Sequence, residues 1–199
     1  MNESGNLLIL LRHGPTDWNA EGRMQGRSDR PLSAAGRAAV RRWRLPEGAA
    51  GYCWASSPLG RARQTAALLG HEDAGVEAAL IETDWGDWEG ARLAELRERF
   101  GEEMTTLEAK GLDFRPPGGE SPREVQARLR PWLAALAGAK RPCVAVSHKG
   151  VIRALLSLAT GWDMTGPPPE KLRSDSAQCF RLMPDGRAEV VRLNLPLVP

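Results

Sequence analysis

Two of the three histidines in the chain, His13 and His148, each stand directly after an apolar run and shortly before a glycine, Gly14 and Gly150. In an open α/β sheet, ligands bind outside the carboxyl ends of the strands, so a polar residue that ends a strand is a first candidate for chemistry. Arg12 precedes one of these histidines, and Arg61 and Arg63 follow Ser56-Ser57-Pro58 in a second unit of apolar run, polar turn and helix. A guanidinium is permanently charged and its planar fork matches two oxygens of a phosphate, so arginines converging on one pocket would select a phosphoryl group. A histidine beside that group can act as nucleophile, while a second cationic group and the arginines stabilise the equatorial oxygens in the transition state. The leaving alkoxide then needs a proton. Glu82 shares a loop with Trp85 and Trp88, and a carboxyl group beside apolar rings keeps its proton to higher pH, which makes it the candidate donor. Asp84, Asp87 and Glu89 compete for that role by proximity. Arg63 has an alternative place on the solvent face of its helix, and His71, between Gly70 and Glu72-Asp73, reads as a surface residue.

These side chains need strands that end at them. Asn6 to Leu11 is a continuous apolar run, as expected of a strand buried on both faces of a parallel sheet, and Pro142 to Ser147 is another that ends at His148. Gly51 to Ala55 and Val76 to Leu80 read as two shorter strands. Helices are expected over Ala34 to Trp43, capped by Ser33 and ended by Leu45-Pro46, and over Leu59 to Leu69, closing at Gly70. Others are expected over Ala91 to Phe100 and Val151 to Ala159. A further helix reaches about Leu136 behind Ser121-Pro122-Arg123-Glu124, which combines an N-cap, a proline at the first helical position and a capping-box glutamate. Gly14 to Leu32 and Asp113 to Glu120 read as loops, and Gln178 to Leu182 pairs with Val190 to Leu193 across Asp185-Gly186 as a hairpin. Strands alternating with helices predict a three-layer α/β/α sandwich with a mostly parallel central sheet and an antiparallel edge strand.

The 199 residues, 42% hydrophobic and 26% charged, suit a single domain over 1–199 and exclude disordered and collagen-like chains. A formal net charge of +2 is too balanced to announce a nucleic-acid or membrane surface. Cys53, Cys143 and Cys179 are far apart, odd in number and set in apolar surroundings, which reads as buried free thiols in a reducing compartment. Met1 to Gly5 lacks a basic leader segment, and Leu7 to Leu11 is too short for a signal core or a membrane span. A cytoplasmic protein with a small-molecule substrate is expected, without nucleic-acid or membrane partners; oligomeric state is left open.

The string Leu11-Arg12-His13-Gly14-Pro15-Thr16-Asp17-Trp18-Asn19 resembles the signature of the histidine phosphatase superfamily, the phosphoglycerate mutase-like or RHG family. Four further segments agree in order and spacing. These are Gln25-Gly26 through Gly36, Ser56 through Ala66 with Arg61, Glu82 with Gly86 and Trp88-Glu89-Gly90, and Val146-Ser147-His148 with Gly150 to Arg153. Five ordered motifs over about residues 7 to 160 are far more specific than a lone Arg-His-Gly. The resemblance implies that His13 is the phosphorylated nucleophile, that Arg12, Arg61 and His148 complete the pocket around the phosphoryl oxygens, and that Asn19 and Gln25 line it. It implies Glu82 as the proton donor that later activates water, with no metal and no cofactor. His13, His148 and Glu82 could alternatively form a zinc triad.

Lys149 departs from the pattern, since the residue after this histidine is usually Gly in the family. It either points to solvent or adds a cation at the pocket mouth that favours a substrate with a second anionic group. The mutase branch resembles a longer chain with a Tyr-containing acid motif and Leu-Gln-Gly where Trp88-Glu89-Gly90 stands here, whereas Pro117-Gly118-Gly119-Glu120-Ser121 matches the phosphatase branch. A metal-independent phosphomonoesterase acting on a small phosphorylated metabolite is therefore the leading expectation. Phosphoglycerate mutase-type transfer and a weakly catalytic phospho-ligand or phosphoprotein binding module are the alternatives.

Overall fold

A computed structural model describes residues 6–45 and 48–197; the N-terminal residues read above for a leader, and Pro46, lie outside the described residues. The two long apolar runs form adjacent strands. β1 (Leu7–Arg12) and β4 (Cys143–Ser147) pair in parallel, in register from Leu8 opposite Cys143 to Arg12 opposite Ser147. β2 (Cys53–Ser56) lies on the far side of β4 and β3 (Gly75–Val76) beyond it. On the other side β5 (Ser176–Leu182) runs antiparallel to β1, and β6 (Ala188–Pro196) pairs with it, giving the order β3-β2-β4-β1-β5-β6. The antiparallel element at that edge is thus a two-strand hairpin, longer than the turn signal alone indicated.

Alternation of side chains along β1 and β4 divides the core between the two faces. Leu8, Leu10, Cys143 and Ala145 pack against α6 (Pro122–Ala139) and α7 (Lys149–Thr160). Ile9, Leu11, Val144 and Val146 pack against α2 (Ala34–Val40) and α3 (Gly60–Leu68). Every residue of β4 is buried, as a central strand covered on both sides requires. A smaller cluster of Trp88, Leu96 and Met104 joins the Trp-containing loop to α4 (Leu93–Phe100) and α5 (Glu102–Glu108).

Several boundaries differ from expectation. The loop after β1 contains a one-turn helix, α1 (Asp17–Ala20), held by a reciprocal capping box between Thr16 and Asn19. Val76 to Leu80 is not a strand: only Gly75–Val76 pairs, because the Glu77 side chain accepts a hydrogen bond from Ala79 N and starts a 3-10 turn over Ala78–Leu80. α2 stops at Val40, short of Trp43, and α6 runs past Leu136 with Pro131 inside it. α7 begins at Lys149, two residues earlier than the apolar pattern suggested, and this makes His148 its N-cap. None of the three cysteines is in a disulfide, but Cys53 is only half-buried. No helix among the described residues is long and apolar enough to cross a membrane.

Candidate active site

The parallel pairing of β1 and β4 brings the two strand-terminal histidines together. His13 N donates to Ser147 O at 2.9 Å, extending the ladder one residue past β1. The His13 and His148 ring centroids then lie 5.1 Å apart, with the planes inclined at 54°. His13 Nδ1 lies 2.7 Å from the Gly14 carbonyl oxygen. A carbonyl only accepts, so this contact assigns the ring proton to Nδ1 and leaves the lone pair on Nε2. Burial first, and then the charges of Arg12 and Arg61, hold the imidazole well below its usual pKa, which keeps Nε2 unprotonated.

Supports behind these rings come from β2 and α3. His148 Nε2 lies 2.7 Å from Ser57 Oγ, and burial, reinforced by the Arg61 and Arg12 charges, lowers its pKa as well. Gly14 N donates to Thr65 Oγ1 at 2.9 Å, and that hydroxyl donates to the Arg61 carbonyl at 2.8 Å. The Arg61 guanidinium is fully buried: Nη1 donates to Ser28 O at 2.8 Å and Nη2 to Gly26 O at 2.7 Å. Four buried polar atoms of these residues, Arg12 Nε, Arg61 Nε, Gln25 Oε1 and His148 Nδ1, have no partner within the protein. Buried polar groups are normally satisfied, so the unpartnered atoms of Arg12, Arg61 and Gln25, three residues that line one cavity, are the candidates for hydrogen bonds to a ligand.

Glu82 reaches the same place from the Trp-containing loop. Its Oε1 accepts from Thr83 N at 2.9 Å and from Gly150 N at 3.1 Å. Burial raises the carboxyl pKa above its ordinary 4.5, although those two amides and the Arg61 and Arg12 charges pull against it. The preceding turn is strapped down by Arg128, which donates to Ala79 O and to Ile81 O and pairs with Glu120 at 2.8 Å.

The competing acids are engaged elsewhere. Glu89 accepts from Ser28 N and Ser28 Oγ at 2.8 and 2.6 Å, Asp84 pairs with Arg27 at 3.2 Å, and Asp87 is exposed. Arg63 is exposed, and His71 stacks on Trp54 at 3.8 Å, away from the site. Of the three tryptophans near the motifs only Trp85 faces the cavity; Trp88 is buried in the small cluster and Trp18 lies under Arg30.

A cavity of about 700 Å³ opens onto His13. Arg12, Asn19, Gln25, Arg61, Glu82 and Lys149 line it, while His148 stands behind His13 and does not reach its surface. Asn19 spends its Oδ1 on Thr16 N and Thr16 Oγ1, so its amide nitrogen is the group left for the cavity. Sequence reasoning missed Arg153, which lines the same wall. Its spacing of four residues from Lys149 was the available signal, because residues i and i+4 share a helix face. It also missed Ser57 and Thr65, small hydroxyls whose role depends on which residue they meet across the fold. Among the described residues no group of three or more His, Cys, Asp or Glu side chains is arranged to hold a metal ion.

Residues 8–196 match the sequence profile of the histidine phosphatase superfamily (branch 1). The chain belongs to that family. It is an enzyme of the histidine phosphatase class, and it is similar to proteins of two kinds of name. A 2,3-bisphosphoglycerate-dependent phosphoglycerate mutase of Beijerinckia indica is 32% identical over 197 residues, covering 92% of this chain and 95% of that protein. A glucosyl-3-phosphoglycerate phosphatase of Mycobacterium tuberculosis is 37% identical over 168 residues, covering 74% of this chain and 72% of that protein. Among solved structures, the mycobacterial glucosyl-3-phosphoglycerate phosphatase in complex with VO3 superposes with a TM-score of 0.76 at 29% identity, over 96% of this histidine phosphatase and 99% of that chain.

Proposed function

We propose that this protein is a metal-independent phosphomonoesterase that hydrolyses a small phosphorylated metabolite through a phosphohistidine on His13. The observation that carries the reading is the pairing of a neutral His13, tied at Nδ1 to the Gly14 carbonyl, with a buried Glu82 of raised pKa beside the same cavity. In the first step Nε2 attacks phosphorus, the N–P bond forms and the P–O bond to the alcohol breaks. Glu82 gives its proton to the departing oxygen. Arg12 and Arg61 offset the charge on the equatorial oxygens, and His148, held by Ser57, supports the His13 ring from behind. In the second step the Glu82 carboxylate takes a proton from water, the water oxygen attacks phosphorus, and the N–P bond breaks to release phosphate and neutral His13. Asn19 and Gln25 hold the substrate oxygens at the cavity wall. Unpaired thiols at Cys53, Cys143 and Cys179 support a reducing, cytoplasmic setting.

The test is phosphate release over a panel of phosphomonoesters in the presence of chelator, with wild type and His13→Ala side by side. Turnover that survives chelator and vanishes in the variant is expected, together with an acid-labile phosphoprotein on rapid quench of the wild type. Equal turnover by the variant would remove His13 from the mechanism.

The mutase name of the 32% relative favours a second reading, in which a substrate hydroxyl replaces water in the second step. That enzyme would need priming by a bisphosphate and would release little phosphate.

A further inference from the structure

The cationic side chains that line the cavity fall into two sets. Arg23 and Arg97 are neutralised, the first by Glu21 at 2.6 Å and the second by Glu108 at 2.7 Å. Arg61 has Asp29 at 3.8 Å and two backbone carbonyls. Arg12, Lys149 and Arg153 form no ion pair and no side-chain hydrogen bond among the described residues. The carboxylates of the lining do not offer one: Glu108 is taken by Arg97, Glu120 by Arg128 and Arg27, and Glu82 by two backbone amides.

A phosphoryl dianion seated at His13 accounts for Arg12 and Arg61. It leaves Lys149 and Arg153 over. These two are one turn apart on the same face of α7, roughly 5–6 Å between Cβ atoms, a spacing at which like charges repel. Lys149 is the first residue of α7, where the positive end of the helix dipole also disfavours a cation. The Arg153 guanidinium lies 5.0 Å over the Trp162 ring, so an aromatic face holds it in place without neutralising it. Two cations kept beside each other, against the dipole and facing a ligand cavity, are relieved by an anion between them.

We infer that Lys149 and Arg153 form a second anion subsite, selecting phosphomonoesters whose leaving alcohol carries a further acidic group, a carboxylate or a second phosphate. This rests on the phosphomonoester reading above. Here Lys149 and Arg153 grip the far end of the substrate while Arg12 and Arg61 hold the phosphoryl group at its near end.

Binding is measured by calorimetry on the His13→Ala protein, so that turnover does not intervene. One pair of probes is 3-phosphoglycerate and glycerol 3-phosphate, which differ by a carboxylate against an alcohol; the other is fructose 1,6-bisphosphate and fructose 6-phosphate. At least one doubly acidic probe should bind about tenfold or more tightly than its partner, and the pair that shows the ratio identifies the acidic group. Adding Lys149→Ala or Arg153→Gln should bring that ratio down toward one. Ratios near one for both pairs, or a ratio that both variants leave intact, overturn the subsite. A protein that binds with the expected ratio and yet, as wild type, releases no phosphate from either doubly acidic probe overturns the hydrolytic reading and leaves the subsite standing.

Discussion

The backbone amide of Gly150 donates to Glu82 Oε1 at 3.1 Å, so the segment after the second histidine fixes the carboxyl group carried by the Trp-containing loop. A Cβ at position 150 would sit 2.6 Å from that same oxygen and would collide with the Thr83 hydroxyl. Gly150→Ala should therefore displace Glu82 while leaving α7 intact, since alanine is the better helix residue by about 1 kcal/mol. Steady-state assays should find kcat on alkyl phosphates reduced by roughly tenfold to a hundredfold, with thermal unfolding little altered. Unchanged kcat would show that the proton donor does not depend on this contact.

Removing the acid itself should separate substrates by leaving group. Glu82→Gln is expected to lower kcat for alkyl phosphates by about 10²–10⁴-fold, the usual contribution of a positioned general acid. The loss for p-nitrophenyl phosphate should be much smaller, because that leaving group departs without a proton. Equal losses on both substrates would take the acid role away from Glu82.

The pH dependence follows from two shifts of opposite direction. The proposed mechanism needs a neutral His13, whose pKa is held well below 6.5, so activity should be retained through mildly acidic pH and lost only as pH falls through that depressed value. Glu82 must be protonated, and its pKa is raised above 4.5, so activity declines as pH rises through that raised value. The stability sign for Glu82 is the same: a raised native pKa gives stability that is complete below the ordinary 4.5 and is lost as pH rises through the native value. The Tm of Glu82→Gln relative to wild type should thus be more favourable at about pH 8 than at about pH 4. A difference independent of pH would mean that Glu82 is not perturbed.

Ser57→Ala tests the second histidine without touching it. The substitution deletes the partner 2.7 Å from His148 Nε2 and leaves a fully buried ring nitrogen unsatisfied, which costs about 1–3 kcal/mol of stability. It should also lower kcat more than it raises KM, because His148 stands behind His13 and not at the cavity surface. Ser57→Thr, which keeps the hydroxyl, should restore part of both; a Thr variant no better than Ala would show that the hydrogen bond is not what matters.

The constellation proposed as catalytic was legible because it sits where strands end. His13 and His148 follow runs that are apolar up to Leu11 and Val146, each with one polar residue between, and burial on both faces is what produces such runs in β1 and β4. α6 was legible for a local reason, the Ser121-Pro122-Glu124 start. α5 was not: it follows Gly101, whose φ of +49° makes an abrupt turn, and no side chain caps it. Val76 to Leu80 misled because apolar composition does not reveal that Glu77 folds back on Ala79 N. Arg153 escaped notice among the many arginines, since its i,i+4 spacing from Lys149 is the only local mark and Trp162 meets it through the fold.

The register that sets Leu8 opposite Cys143 also governs when the enzyme comes into being. Its two histidines belong to strands that are neighbours in the sheet and remote along the chain, and contacts of that kind form slowly because a long loop must close first. A nascent polypeptide still lacking β4 has the His13 imidazole but neither the ring beside it nor the Gly150 amide that holds Glu82. The surroundings of His13 are therefore assembled only once β4 and the start of α7 have joined β1.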